Sequence, residues 1–400
     1  MAISAEISGG AVQLTGNPCR VKVTGGSPPA ESYNYKLLLK LENEDGKLTG
    51  APFIDAIAPN NNEANFNVSG YVDQPVKALF QYPPSGVMVN YPTQAFNVQF
   101  TPGESYIDSD GILQENWGST SGIYQFLKGG LNPRQRAIYK ANNTNFYEQY
   151  LLNGRFLTPR PWGDFIHPTQ PVKLWFMVTG NENAVLKVNG KYSDNSEETA
   201  SHSVALNIDI LYEFNCNPVI LELVVEKQDG VRMEFFDVWL ESGGTAISDS
   251  RRFQLDWNYC ERPFFLLFAN SLGGIDDVYL SGYAVEGIRI DGETVYKPQK
   301  ENDTVFDPTL VTPNKQGQNV WKINSGYKST TQAIYLRDLM VARQVWLLYP
   351  NLDITSYMVI PVIIENTDVN LVDRKLDLWD ITIEMAEAHT SQFTFDNRVF

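Results

Sequence analysis

The chain has 400 residues, enough for two to four domains with real cores. Its 47 acidic residues outweigh 31 basic ones, for a net charge of −16, which argues against nucleic-acid binding because phosphate recognition needs a basic face. Aromatic residues make up 12% and accompany many Val and Thr, a composition that favours β-structure.

Residues 1–95 read as an immunoglobulin-like sandwich. Short apolar runs at 12–14, 21–23, 33–41, 64–68 and 76–82 alternate with turn residues such as Gly16-Asn17-Pro18 and Glu42-Asn43-Glu44-Asp45-Gly46. Residues 96–170 look different: after a strand at 96–100, Gly, Asn and aromatic residues dominate. Asn132-Pro133 has the form of an N-cap followed by Pro at the first helical position, which predicts a helix to about residue 141. A second short helix is expected over 144–152. The run Phe156-Leu157-Thr158-Pro159-Arg160-Pro161-Trp162 is expected to be extended, since each residue before a proline is pushed out of the α region. The whole region reads as a long irregular arm.

Residues 171–256 return to strands at 172–178, 184–188, 203–211, 219–225 and 232–240, a second sandwich. Residues 257–400 read as an α+β domain. Phe264 to Phe268 is an unbroken apolar run, short enough for a strand buried on both faces. Asn270-Ser271-Leu272-Gly273-Gly274 stops it with residues suited to positive φ. Ser329-Thr330-Thr331-Gln332 is a capping box, and the helix it opens places Ala333, Leu336, Leu339 or Met340, and Arg343 on one side. In the last strand Trp379, Ile381, Ile383 and Met385 alternate inward against Leu378, Asp380, Thr382 and Glu384. The predicted fold class is mainly β: two or more β-sandwich domains, a long irregular insertion, and one C-terminal helix packed on a sheet.

Reactive chemistry is hard to find. Cys19, Cys216 and Cys260 are odd in number and lack CxxC spacing, so buried, unmodified thiols are expected and no metal or other cofactor. Asp108-Ser109-Asp110-Gly111 with Glu115 fails the spacing of a calcium loop and reads as a turn. Glu222 with Glu226, or Asp237 with Glu241, have the look of glycosidase pairs, yet such pairs are commonplace in an acidic β-protein. GxSxG and phosphate-binding glycine loops are absent. Lys128, Arg134, Arg136 and Lys140 come nearest to a basic patch and read as a solvated loop and helix face. The N-terminus lacks a basic stretch followed by an apolar one, and no window approaches the ~18 to 20 apolar residues of a membrane span. A soluble, non-enzymatic chain made in the cytoplasm is expected.

The candidate contact residues are aromatic. Trp117, Tyr124, Tyr139, Tyr147 and Trp162, with Phe146 and Tyr150, gather in the 96–170 region among Asn and Gln. Such side chains either stack on sugar rings or anchor a protein–protein interface. The interface is the favoured use, because the segment has little regular structure to hold a rigid sugar platform.

The stretch ending Phe268-Ala269-Asn270-Ser271-Leu272-Gly273-Gly274-Ile275-Asp276 resembles a signature in tail structural proteins of phages and prophages of Bacteroidetes bacteria. The order downstream is similar too: Trp321-Lys322-Ile323-Asn324-Ser325-Gly326-Tyr327, a helix with Tyr335-Leu336-Arg337-Asp338-Leu339-Met340, then Val345-Trp346-Leu347-Leu348 and Pro361-Val362-Ile363-Ile364. Leu14-Thr15-Gly16-Asn17-Pro18 and Phe66-Asn67-Val68-Ser69 resemble the sandwich that often begins such chains. The resemblance implies a distal-tail-like or adaptor-like virion subunit, assembled as a ring of its own copies with other tail or baseplate proteins. The alternative is a carbohydrate-binding tail adhesin that recognises a host surface glycan.

Overall fold

The computed structural model of the chain describes residues 3–7, 9–26, 30–43, 53–73, 76, 78–83, 86–92, 94–258, 263–296, 310–311, 316–350, 357–366 and 378–389. The turn expected over 44–46, Cys260 and most of the polar loop after residue 297 lie outside them. The protein is mainly β and divides into two compact units. The first is Met1–Asp256 with Ala269–Asp276; the second is Trp257–Phe268 with Asp277–Phe400.

In the first unit, a three-stranded sheet of Ser4–Ile7, Arg20–Thr24 and Glu63–Asn67 faces a six-stranded sheet. The latter runs Val12–Leu14, Tyr124–Leu127, Phe96–Ile107, Tyr33–Asn43, Phe53–Ile57, with Leu113–Trp117 paired to Phe96–Ile107. Val21, Val23 and Phe66 from one sheet pack with Leu37, Leu39, Leu41, Val98, Phe100 and Phe126 from the other. Each such burial is worth about 1.5–3 kcal/mol.

The expected irregular arm over 96–170 is therefore corrected at its start. Phe96–Ile107 is a twelve-residue strand paired along Tyr33–Asn43, so residues 96–127 belong to the sandwich. Pro102-Gly103 lies inside that strand, and Gly103 is required there. A Cβ on it would sit 2.6 Å from Cε3 of Trp117, whose ring lies across the backbone.

Further along, a second six-stranded sheet runs Asp164–Ile166, Arg251–Leu255, Met233–Ser242, Glu182–Tyr192, Glu197–Leu206, with Thr245–Ala246 paired to Met233–Ser242. A three-stranded sheet of Lys173–Met177, Leu211–Asn215 and Met88–Tyr91 completes this half. Glu182–Tyr192 alternates cleanly, with Ala184, Leu186 and Val188 buried and Val185, Lys187 and Asn189 half-buried on the other face. The strand expected over 219–225 is instead a run of turns. Asn217 Oδ1 accepts from the Val219 N–H at 3.0 Å, and the Ile220 and Leu221 amides bond back to the Asn217 carbonyl. The apolar run is satisfied by burying Leu221 and Leu223, which needs no sheet.

Both helix starts follow from caps. Asn132 caps Pro133–Ala141 in a reciprocal box with Gln135, and Ser329 caps Thr330–Val341 in one with Gln332. The helix expected over 144–152 is a single π-helical turn, Tyr147–Leu151.

The second unit is a seven-stranded sheet in the order Ile275–Leu280, Phe264–Ala269, Val345–Pro350, Tyr357–Ile364, Thr382–Glu387, Gln316–Asn324, Ala284–Asp291. The helix Thr330–Val341 packs Tyr335, Leu336 and Leu339 onto Phe264, Leu266 and Phe268. Ala333 is buried on the helix as well, while Arg343 lies beyond its end. Ile381, Ile383 and Met385 are buried, in line with their alternation.

Candidate functional site

The five candidate aromatics do not form one surface. Tyr124 leans on Phe100, ring centroids 5.6 Å apart, at the margin of the first core. Tyr147 is half-buried with its ring over Gly10, where a Cβ would collide with it. Tyr139 hydrogen-bonds Tyr150, which stacks on Phe146 at 5.5 Å, and burial first, then Tyr150, pushes the Tyr139 hydroxyl above its usual range. These three serve packing. Trp117 is 38% exposed at a strand end, and Trp162 is 60% exposed.

Trp162 has neighbours that the sequence reading did not assemble. The Arg252 guanidinium lies 4.7 Å from the Trp162 ring centroid and 3.9 Å from that of Phe235. Its Nε and Nη2 donate to Asp237 Oδ1 and Oδ2 at 2.9 and 2.7 Å, a bidentate pair that raises the arginine pKa. Strand register explains the group: Asp237 lies opposite both Arg252 and Asn189, while Gln254 lies opposite both Phe235 and Phe165. Trp239, two residues beyond Asp237, shares that outer face and donates to Glu241 Oε1 at 2.7 Å. The signal was present in the i, i+2, i+4 spacing of Phe235, Asp237 and Trp239.

Three of the four carboxylates that could form acid–base pairs are engaged otherwise, and Glu222 is exposed. Asp237 is held by Arg252, Glu241 by Trp239, and Glu226 by Arg232 at 3.0 Å. Asp108 turns its Oδ1 to the amides of Ile112 and Asp110 and its Oδ2 to Gln114. Those bonds, Ile112's first, hold its pKa below the usual carboxylate range. Lys128 pairs with Asp73 at 2.9 Å. Among the described residues, no group of three His, Cys, Asp or Glu is placed to hold a metal ion. Nor is any described helix long and apolar enough to cross a membrane.

The second unit presents a different feature. Among the described residues Ala284–Asp291 is the edge strand of its sheet, exposed at all eight positions, with Val285, Ile288 and Ile290 at 55%, 54% and 54%. Tyr283 beside it is 63% exposed. Arg289 pairs with Glu365 through two 2.6 Å bonds.

No protein-family model matches the chain, and no curated protein is significantly similar to it.

Proposed function

We propose that the chain is a virion structural subunit of a phage tail, baseplate or adaptor ring, acting through protein–protein assembly. The observation that carries the assembly part is the Ala284–Asp291 edge strand. An edge strand offers unpaired backbone groups, and soluble proteins usually blunt it with Lys, Pro or a bulge. This strand has no Lys or Pro, its charges Glu286 and Arg289 are engaged by Tyr349 and Glu365, and three of its aliphatic side chains are more than half exposed. A strand from a neighbouring copy would pair its backbone and pack against Ile288 and Ile290 on one face and Val285 on the other. The carboxylates spent on ion pairs and turns fit a non-enzymatic role, and the resemblance around Phe264–Asp276 directs the assembly to a tail. Electron cryomicroscopy of purified particles tests the proposal. A symmetric ring containing the chain supports it; a stable monomer absent from particles overturns it.

A further inference from the structure

We propose that the outer face of the second six-stranded sheet in the first unit binds an oligosaccharide, on a platform built by Trp162, Phe165, Phe235 and Trp239 around Arg252 and Asp237. The inference is independent of the assembly proposal, which rests on an edge strand of the other unit.

The face has the two chemistries a sugar needs. A pyranose ring shows a flat patch of C–H groups, which stacks on an aromatic ring, and a rim of hydroxyls, which seek planar donors and acceptors. Trp162 and Phe165 are 60% and 46% exposed, a large share for side chains of this type. One ring face of Trp162 rests on the Arg252 guanidinium, which fixes its orientation before any ligand arrives. That guanidinium is itself fixed, stacked on Phe235 and locked to Asp237 by two hydrogen bonds. Little side-chain entropy then remains to be lost on binding. Arg252 uses Nε and Nη2 for Asp237, and its Nη1 donates to no described residue, leaving an N–H edge for a ligand hydroxyl. Asn189 lies next to Asp237 across the strands, and its Oδ1 is buried with no hydrogen-bond partner among the described residues.

Dimensions agree. Phe235 and Trp239 are four residues apart on one strand, about 14 Å at ~3.4 Å per residue. Arg251–Leu255 and Asp164–Ile166 extend the face sideways at about 4.8 Å per strand. That leaves room for more than one sugar ring. A protein partner fits less well, because the aromatics are interrupted by Gln254, Arg252, Asp237 and Asn189 and form no contiguous apolar patch.

The test uses the full chain on an array of bacterial capsular and lipopolysaccharide glycans, with titration calorimetry on any hit. Wild-type protein is expected to bind. Trp162→Ala and Trp239→Ala should each weaken binding at least tenfold with unchanged circular dichroism and melting temperature. Trp162→Phe, which keeps a stacking face, should recover most of the affinity. Absence of wild-type binding across the array overturns the proposal, as does wild-type affinity in both alanine variants. If Trp162→Ala impairs particle assembly while no glycan binds, the face belongs to a protein partner and the proposal fails.

Discussion

Trp175 Nε1 donates to the carbonyl of Ile275 at 2.7 Å, although the two residues are a hundred positions apart. Trp175 is fully buried, so that bond is made away from water. Residues Ala269–Asp276, which join two strands of the seven-stranded sheet, are part of the first unit, and this bond lies within that unit. Gly274 makes the approach possible: a Cβ there would lie 2.7 Å from the Leu157 carbonyl oxygen and 2.9 Å from Trp175 Cβ. Gly274→Ala is thus expected to destabilise the protein by about 1–3 kcal/mol, the usual cost of overpacking. Urea unfolding followed by Trp fluorescence measures it; an unchanged midpoint would contradict the packing described.

Asn270 organises the same turn. Its Nδ2 donates to the Leu157 carbonyl at 2.8 Å, and its Oδ1 accepts from the Leu272 and Gly274 amides at 2.9 and 3.0 Å. Asn270→Ala leaves three buried backbone groups without those partners, at about 1–3 kcal/mol for each group left unsatisfied. Asn270→Asp keeps the two accepted bonds but turns a carboxylate oxygen toward the Leu157 carbonyl. Both variants should lower the melting temperature, and hydrogen exchange should quicken at Leu272 and Gly274. Normal exchange at those two amides would sink the assignment.

These residues also show how far the sequence could be read. Phe264–Phe268 was legible as a doubly buried strand because five apolar residues in a row leave no solvent face. What the turn packs against was not legible, since Leu157 and Trp175 are remote in sequence and nothing local encodes such a pairing. The continuation of Phe96–Ile107 beyond residue 100 was not legible, because the glycine at 103 is tolerated in a strand only where another group, here the Trp117 ring, lies against the backbone. Of the candidate site, Trp162 was found but its partners were missed. Phe235-Phe236 side by side masks the alternation of that strand, and Arg252 lies fifteen residues beyond Asp237.

The two capping boxes should behave alike despite their different settings. Ser329→Ala removes the acceptor for the Gln332 amide, and Asn132→Ala the acceptor for the Gln135 amide. Each is expected to cost about 1 kcal/mol. Replacement by Gly should cost only a few tenths, because Gly tolerates the cap backbone. Thermal unfolding of the four variants checks both magnitude and order.

Cys19 is buried, and desolvation pushes its thiol from 9.0 up to about 12. The folded state thus holds the neutral thiol, and its contribution is fully present below pH 9.0 and lost as pH rises toward about 12. At pH 8 the native thiol is buried and protonated, so iodoacetamide should leave Cys19 unlabelled in native protein and alkylate it quickly in guanidinium chloride. Peptide mass spectrometry reads both states. Rapid native labelling would mean the site opens far more often than its burial implies.

The edge strand supplies a test that separates assembly from folding. Ile288 is 54% exposed, so Ile288→Lys should change monomer stability by no more than about 0.5 kcal/mol. A lysine on an edge strand, however, is the substitution that natural sheets use to prevent strand addition, because pairing would bring its charge against the incoming chain. Light scattering after size exclusion should show wild-type protein self-associating with rising concentration and the variant remaining monomeric. Val285→Lys should act in the same direction from the opposite face of the strand. Glu286 already accepts from Tyr349 at 2.8 Å and Arg289 is tied to Glu365, so the exposed aliphatic side chains are what remains for a partner to bury. Self-association undiminished in both variants would move the assembly surface off Ala284–Asp291 altogether.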